Sequence, residues 1–322
     1  LGSWRPHIAA VVAALKAALL HGEVPSAGGG LRLVYVTMVY GKFNRYIAGW
    51  ARRLRQLAVG NLVMLTLDGE AFDLCTEHHG RQCAAGSISV LNKYTVLLIA
   101  LQLGIDVMWL DFDVFLVRNP SEMIARAAGA EYDLLMGYDF DSDCICNGFF
   151  YLRARPSTHL WLFELVRWLY DHPYEHDQRA ISAFLNYTER VAAAPGELPP
   201  VPRWHVFDVY NSFINFGSWE GRHEELVLVH FVDGSAFSLY GRPSWDPSIP
   251  ASRLHAAEEA ERGAGGQPGQ PQDRTPMDIF YESGAGGATV EELWETAPEL
   301  RRLLDAQRKP RPLKKQPCGI LP

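Results

Sequence analysis

Two carboxylates one residue apart, Asp111 and Asp113, stand in the middle of the run GIDVMWLDFDVFLVRNP that spans Gly104 to Pro120. Ile105 to Leu110 is mostly apolar and reads as a buried strand, so the pair stands at a strand's carboxyl end, where open α/β sheets bind ligands. Paired acids in such a place are costly without a positive partner. A divalent cation is the cheapest partner, because it takes oxygen ligands and leaves room for a diphosphate. A lone D-x-D can equally be a strand-end turn whose carboxylates cap the loop before Asn119-Pro120. The remainder of the chain has to decide between the two.

The elements that would position this pair follow from periodicity. Residues 4–21 read as a first helix, and a Gly run at 28–30 breaks the chain. Leu31 to Met38 is a β-rich run and reads as the first central strand; Thr37 to Gly41 forms the loop at its carboxyl edge. Phe43 to Val59 has helical spacing, and Leu62 to Leu67 is a second strand ending at Asp68, giving β-α-β and a parallel sheet. Asp73 to Gly86 reads as irregular. Val90, Leu91, Tyr94, Leu97, Leu98 and Leu101 then form one apolar helix face, capped from Ser87 or Ser89 and ended by Gly104. Lys93 falls in that helix's first turn, where a cation is unfavourable without an anion such as a phosphate; a snorkelling surface lysine is the alternative.

Beyond the acid pair, Ser121 is expected to cap a short helix to about residue 128, and 132–138 is a strand. Asp139, Asp141 and Asp143 lie in an acidic, turn-prone loop, followed by Asn147-Gly148 and a strand over 149–152. Ser157 or Thr158 would cap an aromatic-rich helix whose near-continuous hydrophobicity predicts burial. His176-Asp177-Gln178 opens the next helix, with Asp177 fitted to an N-cap. The aromatics from Trp204 to Trp219 suit either an acceptor groove or packing on the sheet. Leu226 to Phe231 is a last apolar strand, with His230 near its end.

Composition narrows the function classes. The 322 residues suit one large α/β domain or two modest ones, and 48% hydrophobic content supports a real core. A net charge of −7 without a large basic block argues against nucleic acid as a partner. Ile8 to Leu20 is apolar but too short for a bilayer and carries Lys16. The cysteines at 75, 83, 144, 146 and 318 lack the spacing of a zinc site. They read either as disulfides such as Cys75–Cys83, if the compartment is oxidising, or as buried thiols.

One rival uses the same motif. Phosphatases of the haloacid-dehalogenase type place D-x-D-x-[TV] after an apolar strand, with one Asp as nucleophile, and Asp111 to Val114 fits that start. There the motif lies on the first strand, whereas two strands precede it here, and no convincing late acidic pair for magnesium follows.

In order along the chain, Leu91-Asn92-Lys93, Leu103-Gly104-Ile105, Trp109 to Val114, Arg118-Asn119-Pro120, Asn147-Gly148-Phe149, His176-Asp177-Gln178 and His230 together resemble the nucleotide-diphospho-sugar transferases of the plant and algal cell-wall type. That group includes extensin arabinosyltransferases and rhamnogalacturonan xylosyltransferases. The resemblance covers about residues 31–240. It implies an α/β fold of the glycosyltransferase A type, a Rossmann-like mixed sheet flanked by helices, and a manganese (or magnesium) ion held by Asp111, Asp113 and His230. It implies that Thr37 and Val39 touch the base, Lys93 and Asp111 the ribose or phosphates, and Asn147 and Gly148 the donor sugar. Asp177 and Gln178 would then stand near the anomeric carbon as catalytic residues. Relatives follow the late His with a Gly and a diphosphate-gripping Lys; here Gly234 follows and the nearby cation is Arg242.

The resulting expectation is a metal-dependent, retaining transferase moving a pentose such as arabinose or xylose, or galactose, from a UDP-sugar to a glycoprotein or polysaccharide. A non-catalytic relative that only binds sugar nucleotide or glycan is the second alternative beside the phosphatase. The expected organisation is a single catalytic domain over 1–250, a flexible linker over 251–275, and a C-terminal tail over 276–322 with a short helix near 290–304. Because the chain opens on Leu1, it is read as a piece of a longer product, working in the Golgi lumen and held by a membrane anchor upstream.

Overall fold

The computed structural model describes residues 5–21, 23–24, 31–86, 90–130, 132–139, 144–172, 177–185, 201–207, 212–215, 223–230, 281 and 289–306. The chain begins with helix α1 (Arg5–Leu19), a short strand β1 (Glu23–Val24) and the central strand β2 (Leu31–Val39). A 3-10 turn (Gly41–Tyr46) runs into α2 (Ile47–Gln56), followed by β3 (Leu62–Thr66), α3 (Gly69–His79), β4 (Cys83–Ala85), α4 (Val90–Gln102) and β5 (Asp106–Leu110). After β5 come β6 (Val114–Leu116), α5 (Ser121–Ala130), β7 (Leu134–Asp139), β8 (Cys144–Leu152), α6 (Pro156–Asp171) and α7 (Asp177–Phe184). Three short strands, β9 (Trp204–Val206), β10 (Phe213–Asn215) and β11 (Leu228–His230), precede helices α8 (Val290–Thr296) and α9 (Pro298–Ala306).

Among the described residues the main sheet is eight-stranded, in the order β4-β3-β2-β5-β8-β7-β9, with β1 on β2. β2, β3, β4 and β5 run parallel, and β8 enters antiparallel to β5. The strand order reverses between β2 and β5, which makes their carboxyl ends the switch point of the sheet. β3 and β5 are buried along their whole length, which explains their unbroken apolar runs. A second, three-stranded sheet has the order β10-β11-β6.

Several local expectations are corrected. Residues 73–86 are not irregular: α3 starts after Asp68, whose carboxylate accepts the Ala71 N–H at 2.8 Å. This helix buries only Ala71 and Cys75, so its sequence carries almost no apolar stripe. Cys75 is disulfide-bonded to Cys83, tying α3 to β4 across a separation of 8 residues. Asn119 rather than Ser121 starts α5, accepting the Ser121 N–H at 3.0 Å, while the Ser121 hydroxyl lies 2.7 Å from the buried Tyr35 hydroxyl. Helix α6 has no side-chain cap; Pro156 begins it, with its fixed φ and missing N–H suited to that position. Nor is α6 buried all round: Trp161, Leu162 and Leu165 face the core, but Leu160 and Phe163 are 47% and 48% exposed.

The Asn147-Gly148 pair lies within a strand. β8 pairs with β7 on both sides of a register break, with Met136 opposite Phe150 and Gly137 opposite Cys146. Residues 147–149 are therefore extra on β8, a bulge that re-aims backbone and side chains. At the other end of the chain, Tyr281, Leu293, Trp294 and Ala297 are buried in the same hydrophobic cluster as the central strands.

One titratable side chain couples this framework to pH. His79, at the end of α3, has Nε2 2.8 Å from the Leu62 carbonyl oxygen. Burial holds its imidazole below the ordinary histidine value; the Leu62 bond opposes that, and Arg55 adds to it. As pH falls below about 6.5, the unfolded chain takes up the proton first. This contribution to stability is therefore complete above that pH and is lost as pH falls through the folded value. The melting temperature should drop between pH 7.5 and 5, and His79→Gln should flatten part of that drop. An unchanged slope in the variant would show that His79 does not contribute.

Candidate active site

The acid pair is built by the strand it ends and by neighbours that hold its turn. β5 delivers Asp111, whose N–H donates to the Gly148 carbonyl at 2.6 Å, and the Val114 N–H closes the turn on the Asp111 carbonyl at 3.0 Å. Phe112 anchors the turn beneath. Its ring stacks on Trp50 at 5.2 Å, and the Trp50 indole N–H donates to its carbonyl at 2.9 Å. Arg53 then donates to the carbonyls of Leu116 and Val117, at 2.9 and 2.6 Å, pinning the strand that leaves the turn. Burial pulls this guanidinium down to about 10, although Tyr281 beside it acts the other way.

Long-range pairing brings the imidazole. β6 runs antiparallel to β11, with His230 opposite Val114, so the histidine arrives beside Asp113. His230 Nε2 lies 3.3 Å from Asp113 Oδ1. Asp111, Asp113 and His230 each present a ligand atom within 4.8 Å of the others'. Asp113 and His230 are buried. There is no room for a side chain at Gly148: a Cβ there would stand 2.3 Å from His230 Cε1. Phe149 meets the imidazole edge-on at 6.0 Å, and Cys146 Sγ lies 3.5 Å from its Nδ1.

The electrostatics fit a cation. Burial raises Asp111 above the usual carboxylate range; Lys93 opposes this and the nearby Asp113 reinforces it. Burial works against a charged His230, yet Cys146 and Asp113 outweigh it and leave the imidazole well above its ordinary value. Two carboxylates thus converge with an imidazole at one point, and the protein's own cations, Lys93 and His230, already lean on them. Two carboxylates and an imidazole suit a manganese-like ion better than calcium, so the donor set fits the metal that the sequence resemblance implies.

The other expected residues distribute around this centre. Lys93 is buried rather than snorkelling. It donates to the Asn147 carbonyl at 2.7 Å, lies 3.5 Å from Asp111 Oδ1 and 4.0 Å from Asp177 Oδ2, and its Nζ sits 4.8 Å from the Trp109 ring centroid. The anions that justify a lysine in the first turn of α4 are thus protein carboxylates. Asp177 also accepts from the Tyr94 hydroxyl at 2.7 Å and from the Gln178 N–H at 2.9 Å, so it serves both the helix start and the site. Trp109 Nε1 donates to Asp111 Oδ1 at 2.6 Å. Thr37 and Val39 are buried at the carboxyl end of β2, opposite Met64 and Thr66 of β3, and the Thr37 hydroxyl has no hydrogen-bond partner among the described residues. Gly234 and Arg242 lie outside the described residues, as do 208–211 and 216–219 of the aromatic stretch. Phe207 and Phe213 of that stretch are buried and stack on each other at 4.2 Å, which is packing rather than a groove.

Cys146, Trp50, Arg53 and Tyr94 were not singled out as site residues by sequence reasoning. Cys146 had a readable neighbour: Asn147-Gly148 inside an apolar run signals a bulge, and bulges cluster at active sites. Trp50 and Tyr94 had only their place on helical stripes, while Arg52, Arg53 and Arg55 fall mostly off the stripe and read as a solvated helix face, which is corrected for Arg53: it is buried.

The mixed α/β sheet carries an acid pair at its switch point, and a second small sheet delivers a histidine to that pair, an architecture of the glycosyltransferase A type. The chain belongs to the nucleotide-diphospho-sugar transferase family, which matches residues 57–232. It is accordingly a glycosyltransferase, with a nucleotide-sugar donor and a glycan acceptor implied by the family, and the phosphatase alternative falls away. The match is to the family as a whole and singles out no subgroup of it. No curated protein sequence matches the chain. Among solved structures it is similar to the glycosyltransferase GlyE of Streptococcus pneumoniae TIGR4, at 11% identity over 75% of this chain and 66% of that one, with a TM-score of 0.44. A glycosyltransferase involved in glycosylation of the major capsid of PBCV-1 is 10% identical over 65% of this chain and 96% of that one, with a TM-score of 0.43. Mouse xyloside xylosyltransferase 1 is 12% identical over 62% and 97%, with a TM-score of 0.36.

Proposed function

We propose that this chain is a metal-dependent, retaining transferase that takes a UDP-sugar and passes the sugar to a glycoprotein or polysaccharide acceptor. The observation that carries the reading is the convergence of Asp111, Asp113 and His230 on one point at the switch of the sheet. These three would hold a manganese ion, which when bound neutralises charge on the departing diphosphate. Lys93 adds a fixed positive charge on the same side, already stripped of water by its aromatic neighbours. Thr37 and Val39 border the nucleotide at the end of β2, and the unpartnered Thr37 hydroxyl suits a polar ligand. Asn147 and Gly148 border the sugar.

Asp177 offers the developing sugar cation an anionic face, oriented by Tyr94 and Lys93. Gln178 follows it on α7 and would reach the sugar hydroxyls. Retention of anomeric configuration and a pentose (arabinose or xylose) or galactose donor rest on the resemblance to cell-wall transferases. The Cys75–Cys83 disulfide supports an oxidising compartment, consistent with a Golgi lumen placement.

A thermal-shift screen of nucleoside diphosphates and nucleotide sugars, each with and without manganese, tests the reading. UDP and manganese together should raise the melting temperature by several degrees, because a ligand at a hundredfold over its dissociation constant stabilises by about 2.7 kcal/mol. No shift with any nucleoside diphosphate in the presence of manganese would overturn the reading. A shift without turnover across many acceptors would make the chain a binding-only relative.

A further inference from the structure

We propose that Cys146 is a positioning residue for His230, its sulfur holding the imidazole so that Nε2 faces the acid pair. This rests on the metal-site reading above. The sulfur lies 3.5 Å from Nδ1, on the opposite side of the ring from Asp113, which is 3.3 Å from Nε2. A ligating Nε2 must keep its lone pair, so the ring proton has to sit on Nδ1, where it donates to the sulfur. Turning the ring over would put a carbon against the sulfur and another carbon against Asp113. The sulfur therefore joins Asp113 in selecting one ring orientation, a choice that shape alone does not make, since nitrogen and C–H positions of an imidazole fill nearly equal space.

Gly148 packs close against the ring and Phe149 meets it edge-on, so both restrict its position by shape. Cys146 is buried and is not disulfide-bonded. It stands at the last β7-paired position before the bulge, opposite Gly137, which places its sulfur on a regular piece of strand rather than on the irregular residues that follow. Carboxylate, carbonyl and water partners at this ring position set the orientation and basicity of metal-bound histidines, and their loss costs about 10- to 100-fold in metal affinity; a sulfur is a weaker acceptor and belongs at the low end of that range.

The test is manganese affinity, read by electron paramagnetic resonance of the free ion in titrations of the whole chain. Cys146→Val keeps the bulk and removes the acceptor; Cys146→Ser keeps an acceptor in less bulk. Val should weaken manganese binding at least about tenfold, with the melting temperature of the metal-free protein little changed, and Ser should stay within about threefold of wild type. Wild-type affinity in the Val variant would overturn the proposal. So would equal losses in Ser and Val, which would mark a space-filling role. Failure of the wild-type chain itself to bind manganese would instead remove the metal reading, and the positioning role with it.

Discussion

Replacing Asp113 by Asn should lower sugar transfer by at least about a thousandfold while leaving the fold intact. The substitution keeps size and removes one negative charge from the pair that faces His230 at 3.3 Å. Asp113 is buried, so its charge has little solvent to share it, and its loss falls directly on the cation that the site would bind. Stability should move little, since relief of the repulsion between Asp111 and Asp113 offsets the weakened contact with His230. Three measurements separate the effects: turnover of the nucleotide sugar, manganese binding, and the melting temperature. Turnover near the wild-type rate would mean that the acid pair is only a strand-end turn, and the assignment of the site would fall.

The second large effect is expected from one methyl group. In Gly148→Ala the new Cβ would stand 2.3 Å from His230 Cε1 and 2.6 Å from Nε2. The ring cannot yield cheaply, because Asp113, Phe149 and Cys146 surround it. Either the imidazole leaves the acid pair, or β8 retreats and weakens the 2.6 Å bond from Asp111 N–H to the Gly148 carbonyl. Both outcomes break the three-way convergence. Overpacking of this size costs about 1–3 kcal/mol in stability. Metal affinity and turnover should fall about a hundredfold or more, since a misplaced ligand loses both binding and orientation. Gly69→Ala is the control: a Cβ there meets nothing within 4 Å, and both readouts should be unchanged. Unaltered manganese affinity in Gly148→Ala would show that His230 is not a ligand.

Much of the framework was legible because its signals are local. The buried runs of β2, β3 and β5, the apolar face of α4 and the left-handed Gly104 that ends it are statements about neighbouring residues. The less legible elements lack such signals. Helix α3 buries too few side chains to show a period. β9 and β10 are three residues each and exist through pairing with β7 and β11, distant in sequence. Helix α6 reads as apolar all round because its exposed face carries Leu160 and Phe163, and composition does not tell an exposed leucine from a buried one.

By itself the sequence determined which residue types carry the chemistry: the doublet Asp111 and Asp113 at a strand end, a lysine at the start of a helix, an Asp-Gln pair opening another, and a late histidine. Only the tertiary structure decided that they meet. His230 reaches Asp113 through the pairing of β6 with β11, Lys93 spans Asp111 and Asp177, and Cys146 turns out to face the imidazole. The physical reason is that carboxylates, an ammonium and an imidazole interact through distances of a few ångströms set by strand register and a bulge. Those distances span 116 residues of chain between Val114 and His230, and no local propensity encodes them.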